Sequence, residues 1–244
     1  MTPAGPFARL HGTRVLVIGG SSGIGEATAA LAARCGARVT IASRSAARRE
    51  AALARLPSGV AADPLDVGDA SQVEDYFSRR PAWDHVVLAG SATQVGSVTS
   101  LPLPQARASM DNKFWGAYHV GRSARVADGG SITFVSGVYS AKPNPQAVLQ
   151  GALNAAVEAL ARGLALERAP AVRVNVVSPS TTDTPLWNRL GPDGRAARMA
   201  FMRERLPLRR VADAADIAEA LLFLAVQANA TGTMLLVDGG DALV

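Results

Sequence analysis

The chain has 244 residues, of which 48% are hydrophobic and 18% charged, which is the composition of an ordinary globular domain. Its longest uninterrupted apolar run, residues 220–226, is too short to span a membrane, and the first six residues lack the pattern of a signal peptide. The net charge of +5 comes mostly from scattered arginines, without a zinc-finger spacing or a basic stripe, so we expect no nucleic-acid partner.

The most informative segment lies near the start of the chain. The apolar run of residues 15–18 leads directly into a glycine-rich turn, and a helical pattern follows. Glycines permit a tight turn with close backbone approach, and the N-terminus of a helix attracts phosphate. A second apolar strand follows the helix, as a dinucleotide site requires. The turn therefore predicts nucleotide binding through Gly19, Ser21, Ser22, Gly23, Ile24 and Gly25.

Strands and helices alternate along most of the chain. Strands are predicted at residues 14–18, 38–42, 59–62, 85–89, 131–135, 172–177 and 234–237. Helices are predicted at residues 25–35, 46–56, 70–77, 105–127, 146–168 and 212–228. This alternation predicts an α/β fold: a single-domain, Rossmann-type, doubly wound parallel sheet of about seven strands with helices on both faces, spanning residues 1–244.

One stretch, residues 178–211, breaks the alternation and is rich in Pro, Gly and Arg. A long connection after a strand of such a sheet usually covers the ligand crevice, so we expect a substrate lid at about residues 181–211. A surface excursion packed on its own apolar residues is the alternative. The lid's apolar residues suggest an apolar substrate, and its arginines leave room for an anionic group: Trp187, Met199, Phe201 and Met202, with Arg189, Arg195, Arg198, Arg203 and Arg205.

Several motifs together resemble the short-chain dehydrogenase/reductase family over nearly the whole chain. The glycine turn is similar to the family's TGxxxGxG, residues 173–179 are close to its RVNxVxPG, and residues 231–240 match its TGxxxxVDGG. The resemblance implies a Rossmann fold and a carbonyl or alcohol substrate of small size. It also implies further cofactor contacts at Asp66, Val67, Ala89, Gly90, Pro179, Thr182 and Thr184.

The residues after the second strand indicate which cofactor is used. An NAD enzyme normally has an acidic residue there, which accepts hydrogen bonds from the ribose hydroxyls. This chain has Ser43 and Arg44 instead, and an arginine can bind a 2′-phosphate with two hydrogen bonds. We therefore expect NADP(H), with a free surface arginine as the alternative.

The resemblance fails at the catalytic pair. The family's acid–base motif is YxxxK, and the ungapped match of residues 155–160 to KAAVEAL-like sequences places Gln150 at the tyrosine and Asn154 at the lysine. Neither amide titrates near neutral pH, so this pair cannot donate a proton. Ser136 is at the expected place of the catalytic serine and, with Gln150, could polarise a substrate oxygen as a neutral donor.

Two other residues are candidate catalytic groups. Lys113 replaces a family asparagine that supports a water chain to the missing lysine, so its ammonium could reach the same site; it could equally be a structural cation bound to carbonyls or a carboxylate. Tyr139, three residues after Ser136, could supply a phenol or form a wall of the pocket. Lys142 in the same loop is expected to be solvated, and the dispersed histidines indicate no metal site.

Three functions remain open. The favoured one is an NADPH-dependent oxidoreductase with an atypical proton donor; the others are a cofactor-binding pseudoenzyme and a non-redox enzyme that reuses the pocket. The single cysteine, Cys35, suits a reducing cytoplasm. The helix of residues 146–168 is apolar on more than one face, which indicates burial on several sides. We therefore expect a homo-oligomer, and the family resemblance implies a tetramer. Assembly with an active paralogue is the alternative.

Overall fold

The structure, a computed structural model, describes residues 5–90 and 93–244. Residues 1–4, part of the N-terminal segment that lacks a signal-peptide pattern, lie outside the described residues. Within the described ranges, no helix has both the length and the hydropathy that a membrane span requires.

A seven-stranded parallel sheet forms the centre of the molecule, with the strand order β3-β2-β1-β4-β5-β6-β9. Its strands are β1 Arg14–Ile18, β2 Arg38–Ser43, β3 Ala61–Pro64, β4 Trp83–Leu88, β5 Val126–Val135, β6 Arg173–Pro179 and β9 Met234–Val237. Two further short strands, β7 Thr182–Asp183 and β8 Ala212–Asp213, pair with each other apart from this sheet. The predicted parallel Rossmann-type sheet is confirmed.

Helices cover both faces of the sheet and bury one apolar cluster on each. They are α1 Gly23–Arg34, α2 Ala46–Leu53, α3 Ala70–Ser78, α4 Leu103–Met110, α5 Gly116–Ser123, α6 Val148–Arg168, α7 Gly191–Arg205 and α8 Ala214–Val226. The strand order reverses between β1 and β4, and ligands bind such sheets at the carboxyl ends of the strands beside this reversal.

Several predicted elements have different bounds in the structure; β5, for example, begins at Val126 rather than at residue 131. The helix predicted at residues 105–127 is divided in the structure into α4, a π-helical turn at Asp111–Trp115, and α5. Its last two predicted residues, 126 and 127, belong to β5. The third strand begins later than predicted and ends in Pro64, which an edge strand tolerates because its outer N–H groups need no partner. The irregular stretch contains the 15-residue helix α7, since its Gly and Pro fall in the first turn, where a helix accepts them.

Candidate active site

The glycine turn after β1 is held by contacts that leave no space for a side chain. A Cβ on Gly25 would lie 2.2 Å from the carbonyl oxygen of Gly19, and one on Gly19 would lie 2.4 Å from the backbone nitrogen of Gly90. Gly19 also has a φ of +84°, a conformation that favours glycine. The turn thus brings the ends of β1 and β4 together, and α1 begins there without a side-chain cap, so its first N–H groups remain free for an anion.

A cavity of about 540 Å³ opens at this turn. Eight of the predicted cofactor residues line it: Gly19, Ser21, Ser22, Ser43, Arg44, Asp66, Val67 and Gly90. Gly23, Ile24, Gly25, Ala89, Pro179, Thr182 and Thr184 do not line it; of these, Thr184 lies against the turn, with its Cβ 3.3 Å from where a Cβ on Gly23 would be. The cavity is also lined by six residues that were not predicted as cofactor contacts: Ile18, Ala42, Ser45, Arg48, Leu65 and Asn112.

The wall of this cavity at the end of β2 fits a phosphorylated ribose. Arg44 and Arg48 both line it, and the hydroxyl of Ser43 is buried there without a hydrogen-bond partner. A buried polar atom without a partner is costly, and a bound ligand would satisfy it. Asp66 is the only carboxylate among the lining residues, and it follows β3 rather than β2. The residues present therefore fit a dinucleotide.

Helix α6 carries the two amides, Gln150 and Asn154, that the sequence predicts at the positions of the family's acid–base pair. Gln150 Nε2 donates to Thr93 Oγ1 at 3.2 Å, and Asn154 Nδ2 donates to the carbonyl of Gly137 at 3.0 Å. Both contacts reach loops that follow strands β4 and β5, so the two amides do lie at the carboxyl edge of the sheet. Their carbonyl oxygens are buried without partners. The face is therefore left with two free carbonyl acceptors, and each amide uses one of its two N–H donors within the protein.

Ser136 is oriented differently from what its position in the sequence suggests. Its hydroxyl donates to Glu158 Oε1 at 2.7 Å, and so does the hydroxyl of Ser140. Glu158 lies one helical turn after Asn154 on α6 and is 7% exposed. The single hydroxyl proton of Ser136 is thus used inside the protein. The residue that faces the amide of Asn154 is Gly137, where a Cβ would lie 2.9 Å from Nδ2.

Lys113 joins this buried group from the π-helical turn. Its Nζ donates to the carbonyl oxygen of Ser136 at 3.0 Å, and the residue is only 8% exposed. Burial lowers the pKa of this ammonium to about 8, with the carboxylate of Glu158 acting in the opposite direction. The structure brings Lys113, Ser136, Ser140 and Glu158 together directly beneath the amides of α6. We call these four residues the buried polar cluster.

The loop after β5 is fixed to the C-terminal segment. Lys142 Nζ forms a salt bridge of 2.7 Å with Asp241 and also donates to the Asp241 carbonyl. The hydroxyl of Ser180, after β6, donates to the other carboxylate oxygen of Asp241. The expectation of a solvated Lys142 was wrong, because sequence spacing gave no sign that Asp241 lies nearby. Tyr139, in the same loop, is half-buried.

Comparisons with known proteins identify the family to which the chain belongs. A family model described as enoyl-(acyl carrier protein) reductase matches residues 18–241. A short-chain dehydrogenase/reductase named ATR9 from Stachybotrys chlorohalonatus is 32% identical, over 96% of this chain and 98% of its own.

Two solved structures are also similar. One is an NADPH-bound short chain oxidoreductase from Pseudomonas aeruginosa described as containing an atypical catalytic center, with a TM-score of 0.86, 28% identity, and coverage of 93% of this chain and 96% of its own. The other is MalC, a reductase/Diels-Alderase from Malbranchea aurantiaca, with a TM-score of 0.88, 27% identity, and coverage of 98% and 100%. The chain belongs to the short-chain dehydrogenase/reductase family of oxidoreductases.

Proposed function

We propose that the protein is an NADP(H)-dependent oxidoreductase that acts on a carbonyl or alcohol of a small, largely apolar molecule through an atypical proton-donor site. The observation that carries this proposal is the cavity at the glycine turn, whose wall combines Arg44, Arg48 and the unpartnered hydroxyl of Ser43. Two guanidinium groups at the end of β2 favour a 2′-phosphate over a free ribose, because arginine pairs strongly with phosphate.

When bound, the nicotinamide would supply or accept the hydride. The glycine turn and the first N–H groups of α1 would hold the pyrophosphate, and Asp66 and Val67 would contact the adenine. At the reacting end, the free oxygens of Gln150 and Asn154 can accept a hydrogen bond from a hydroxyl or a water molecule. The proton would come from that water, from the substrate, from Tyr139 or from Lys113.

The geometry ranks two of these proton sources. Lys113 is enclosed and directed at a backbone carbonyl, which favours a positioning role beneath the site. Tyr139 is half-buried in the loop that borders the cleft, so its phenol is the more accessible acid. Ser136 holds Glu158 instead of donating to a substrate in this structure.

A second candidate function has a specific observation in its favour. The amides at Gln150 and Asn154 remove the titrating pair, and a similar protein, MalC, is described as both a reductase and a Diels-Alderase. A non-redox enzyme could use the same pocket to orient a substrate without a proton transfer. A pseudoenzyme that binds NADPH but catalyses no reaction would likewise lack the titrating pair.

The test of the favoured function combines binding with turnover. NADPH and NADH are titrated by fluorescence, and NADPH oxidation is followed with a broad panel of carbonyl compounds. We expect tighter NADPH binding, and Arg44→Ala should weaken NADPH by about 1.5–3 kcal/mol while leaving NADH nearly unchanged. Arg34→Ala, at the exposed far end of α1, is the matched control. Equal binding of the two cofactors would exclude the NADP(H) assignment, and binding without oxidation of any carbonyl would exclude the reductase.

We also propose a cytoplasmic homotetramer in which residues 181–211 form the substrate lid. Apolar side chains remain exposed on the helices that follow β4 and β5, with Trp115 and Tyr118 about 40% exposed and Leu166 85% exposed. An oligomer would bury this surface. An active paralogue is the alternative partner.

A further inference from the structure

The segment that covers the carboxyl end of β6 carries several arginines, and most of them are paired or solvated. Arg195 donates to Asp183 at 2.7 and 2.9 Å and to Asn188 at 2.8 Å. Arg205 is exposed and lies over the ring of Phe201. Arg203 is exposed on the same helix. These three arginines have no need of a ligand.

Arg198 differs from them in its pairing. Its guanidinium is 5.2 Å from the ring centre of Trp187 and 6.0 Å from that of Phe201, which gives it an apolar platform. Its one hydrogen bond to a described residue is long, 3.3 Å from Nη2 to Thr181 Oγ1. Its Nε is buried without a partner, and no carboxylate of the described residues lies within salt-bridge distance. Four of its five N–H donors therefore have no hydrogen bond to a described residue, and one of the four, Nε, is also shielded from solvent.

The hydrogen bond to Thr181 places Arg198 at the ligand-binding edge of the sheet. Thr181 comes two residues after the end of β6, next to Ser180. Ser180 is joined through Asp241 to Lys142, in the loop that carries Tyr139. The salt bridge with Asp241 neutralises Lys142, whereas Arg198 has no carboxylate partner among the described residues.

We propose that Arg198 binds a carboxylate of the substrate, with Trp187 and Phe201 contacting the apolar part of the same molecule. This inference rests on the proposed function and specifies its substrate class: an apolar oxo acid or hydroxy acid. The guanidinium of Arg198 presents a planar pair of donors that matches the two oxygens of a planar carboxylate. The carboxylate would also give the buried Nε its missing acceptor.

The test compares an acid with its own ester. Benzoylformate and methyl benzoylformate share an aromatic ring and a ketone and differ in the charge. Isothermal titration with the NADP⁺-saturated protein should show the acid binding at least about 10-fold more tightly than the ester. Arg198→Gln should weaken the acid about 10- to 100-fold and change the ester less than about two-fold. Arg203→Gln, an exposed position of the same helix, should leave both affinities unchanged.

A conservative variant keeps the test decisive if Arg198→Gln is poorly folded. Arg198→Lys retains the charge and loses the planar fork, so it should weaken the acid by a smaller factor and leave the ester unchanged. Equal affinities of acid and ester in the parent protein, or equal losses of both in either variant, would overturn the proposal. The same titrations without cofactor distinguish the failure of one proposal from the failure of the other. If the protein binds no nicotinamide cofactor but still binds the acid more tightly than the ester, the Arg198 site is retained and the reductase is rejected.

Discussion

The two halves of the cleft differ in how their residues relate to the family motifs: the nucleotide half is predicted to match them, and the reaction half is predicted to depart from them. The nucleotide half retains the glycine turn, the uncapped start of α1 and the cations after β2. The reaction half has amides at positions 150 and 154, a glycine at position 137 and a buried polar cluster beneath them. Nucleotide binding depends on backbone geometry that the fold itself requires, whereas proton transfer depends on a few side chains that can change without altering the fold.

The largest expected effect comes from restoring the titrating pair in the reaction half. Gln150→Tyr combined with Asn154→Lys should raise carbonyl reduction about 10²-fold or more, because a positioned general acid contributes that much. The parent rate should be nearly flat from about pH 6 to 9, and the double variant should gain a limb that falls with rising pH.

The control for this variant is Gln150→Phe with Asn154→Met, which adds similar bulk without an acid. If both double variants turn over at the parent rate, the amides are not the cause of a low rate. Initial rates of NADPH oxidation at several pH values decide between these outcomes. A parent already as fast as the restored variant would show that the chain has its own efficient donor.

The second effect concerns Lys113 and the pH dependence of stability. Burial lowers its pKa from 10.5 to about 8, so between these pH values the unfolded chain binds more protons than the folded one. Stability should therefore rise with pH across this window, by up to about 3 kcal/mol, and the full penalty for burying the charge applies below about pH 8. Urea unfolding at pH 7.5, 9 and 10.5 measures this slope.

Lys113→Met should remove the slope, since no ammonium remains to titrate at this site. Lys142→Met is the matched control, because Lys142 is the one other lysine of the chain and its ammonium is paired with Asp241. Lys142→Met should keep the increase of stability with pH that the parent protein shows. A slope that persists unchanged in Lys113→Met would show that another group is responsible.

The third prediction disrupts the nucleotide half. Gly25→Ala would place a Cβ 2.2 Å from the carbonyl of Gly19, so the turn must shift. We expect NADPH affinity to fall about 100-fold, the cost of a displacement of this kind at a positioned site. Gly163→Ala on α6 is the control: nothing lies within 4 Å of its Cβ, and it should raise stability by about 0.5–1 kcal/mol. Unchanged NADPH binding in Gly25→Ala would exclude the turn as the phosphate site.

The sequence could predict the parts of the molecule that depend on local pattern. The sheet and the order of its elements follow from apolar strands and glycines at fixed places, whereas Asp66, Val67 and Gly90 in the nucleotide cavity were expected only from the family resemblance. It could not predict contacts between residues far apart in the chain, such as Lys142 with Asp241. Glu158 lies within the aligned segment of residues 155–160, and its spacing of four from Asn154 is a sequence signal for a third polar residue on the same helix face.

Ser136 has one role in the family motif and a different one in the structure. The family resemblance makes it a donor to the substrate, and losing such a donor would lower the rate about 10²-fold. The structure instead gives Ser136 and Ser140 the same partner at the same distance, 2.7 Å from Glu158 Oε1. We therefore expect Ser136→Ala and Ser140→Ala to behave alike. Each should lower the free energy of unfolding by about 1.5–3 kcal/mol, the value of a hydrogen bond to a charged group, with NADPH affinity unchanged. Denaturant unfolding and initial rates measured on both variants decide the question, because a rate loss confined to Ser136→Ala would require its hydroxyl to leave Glu158 during turnover.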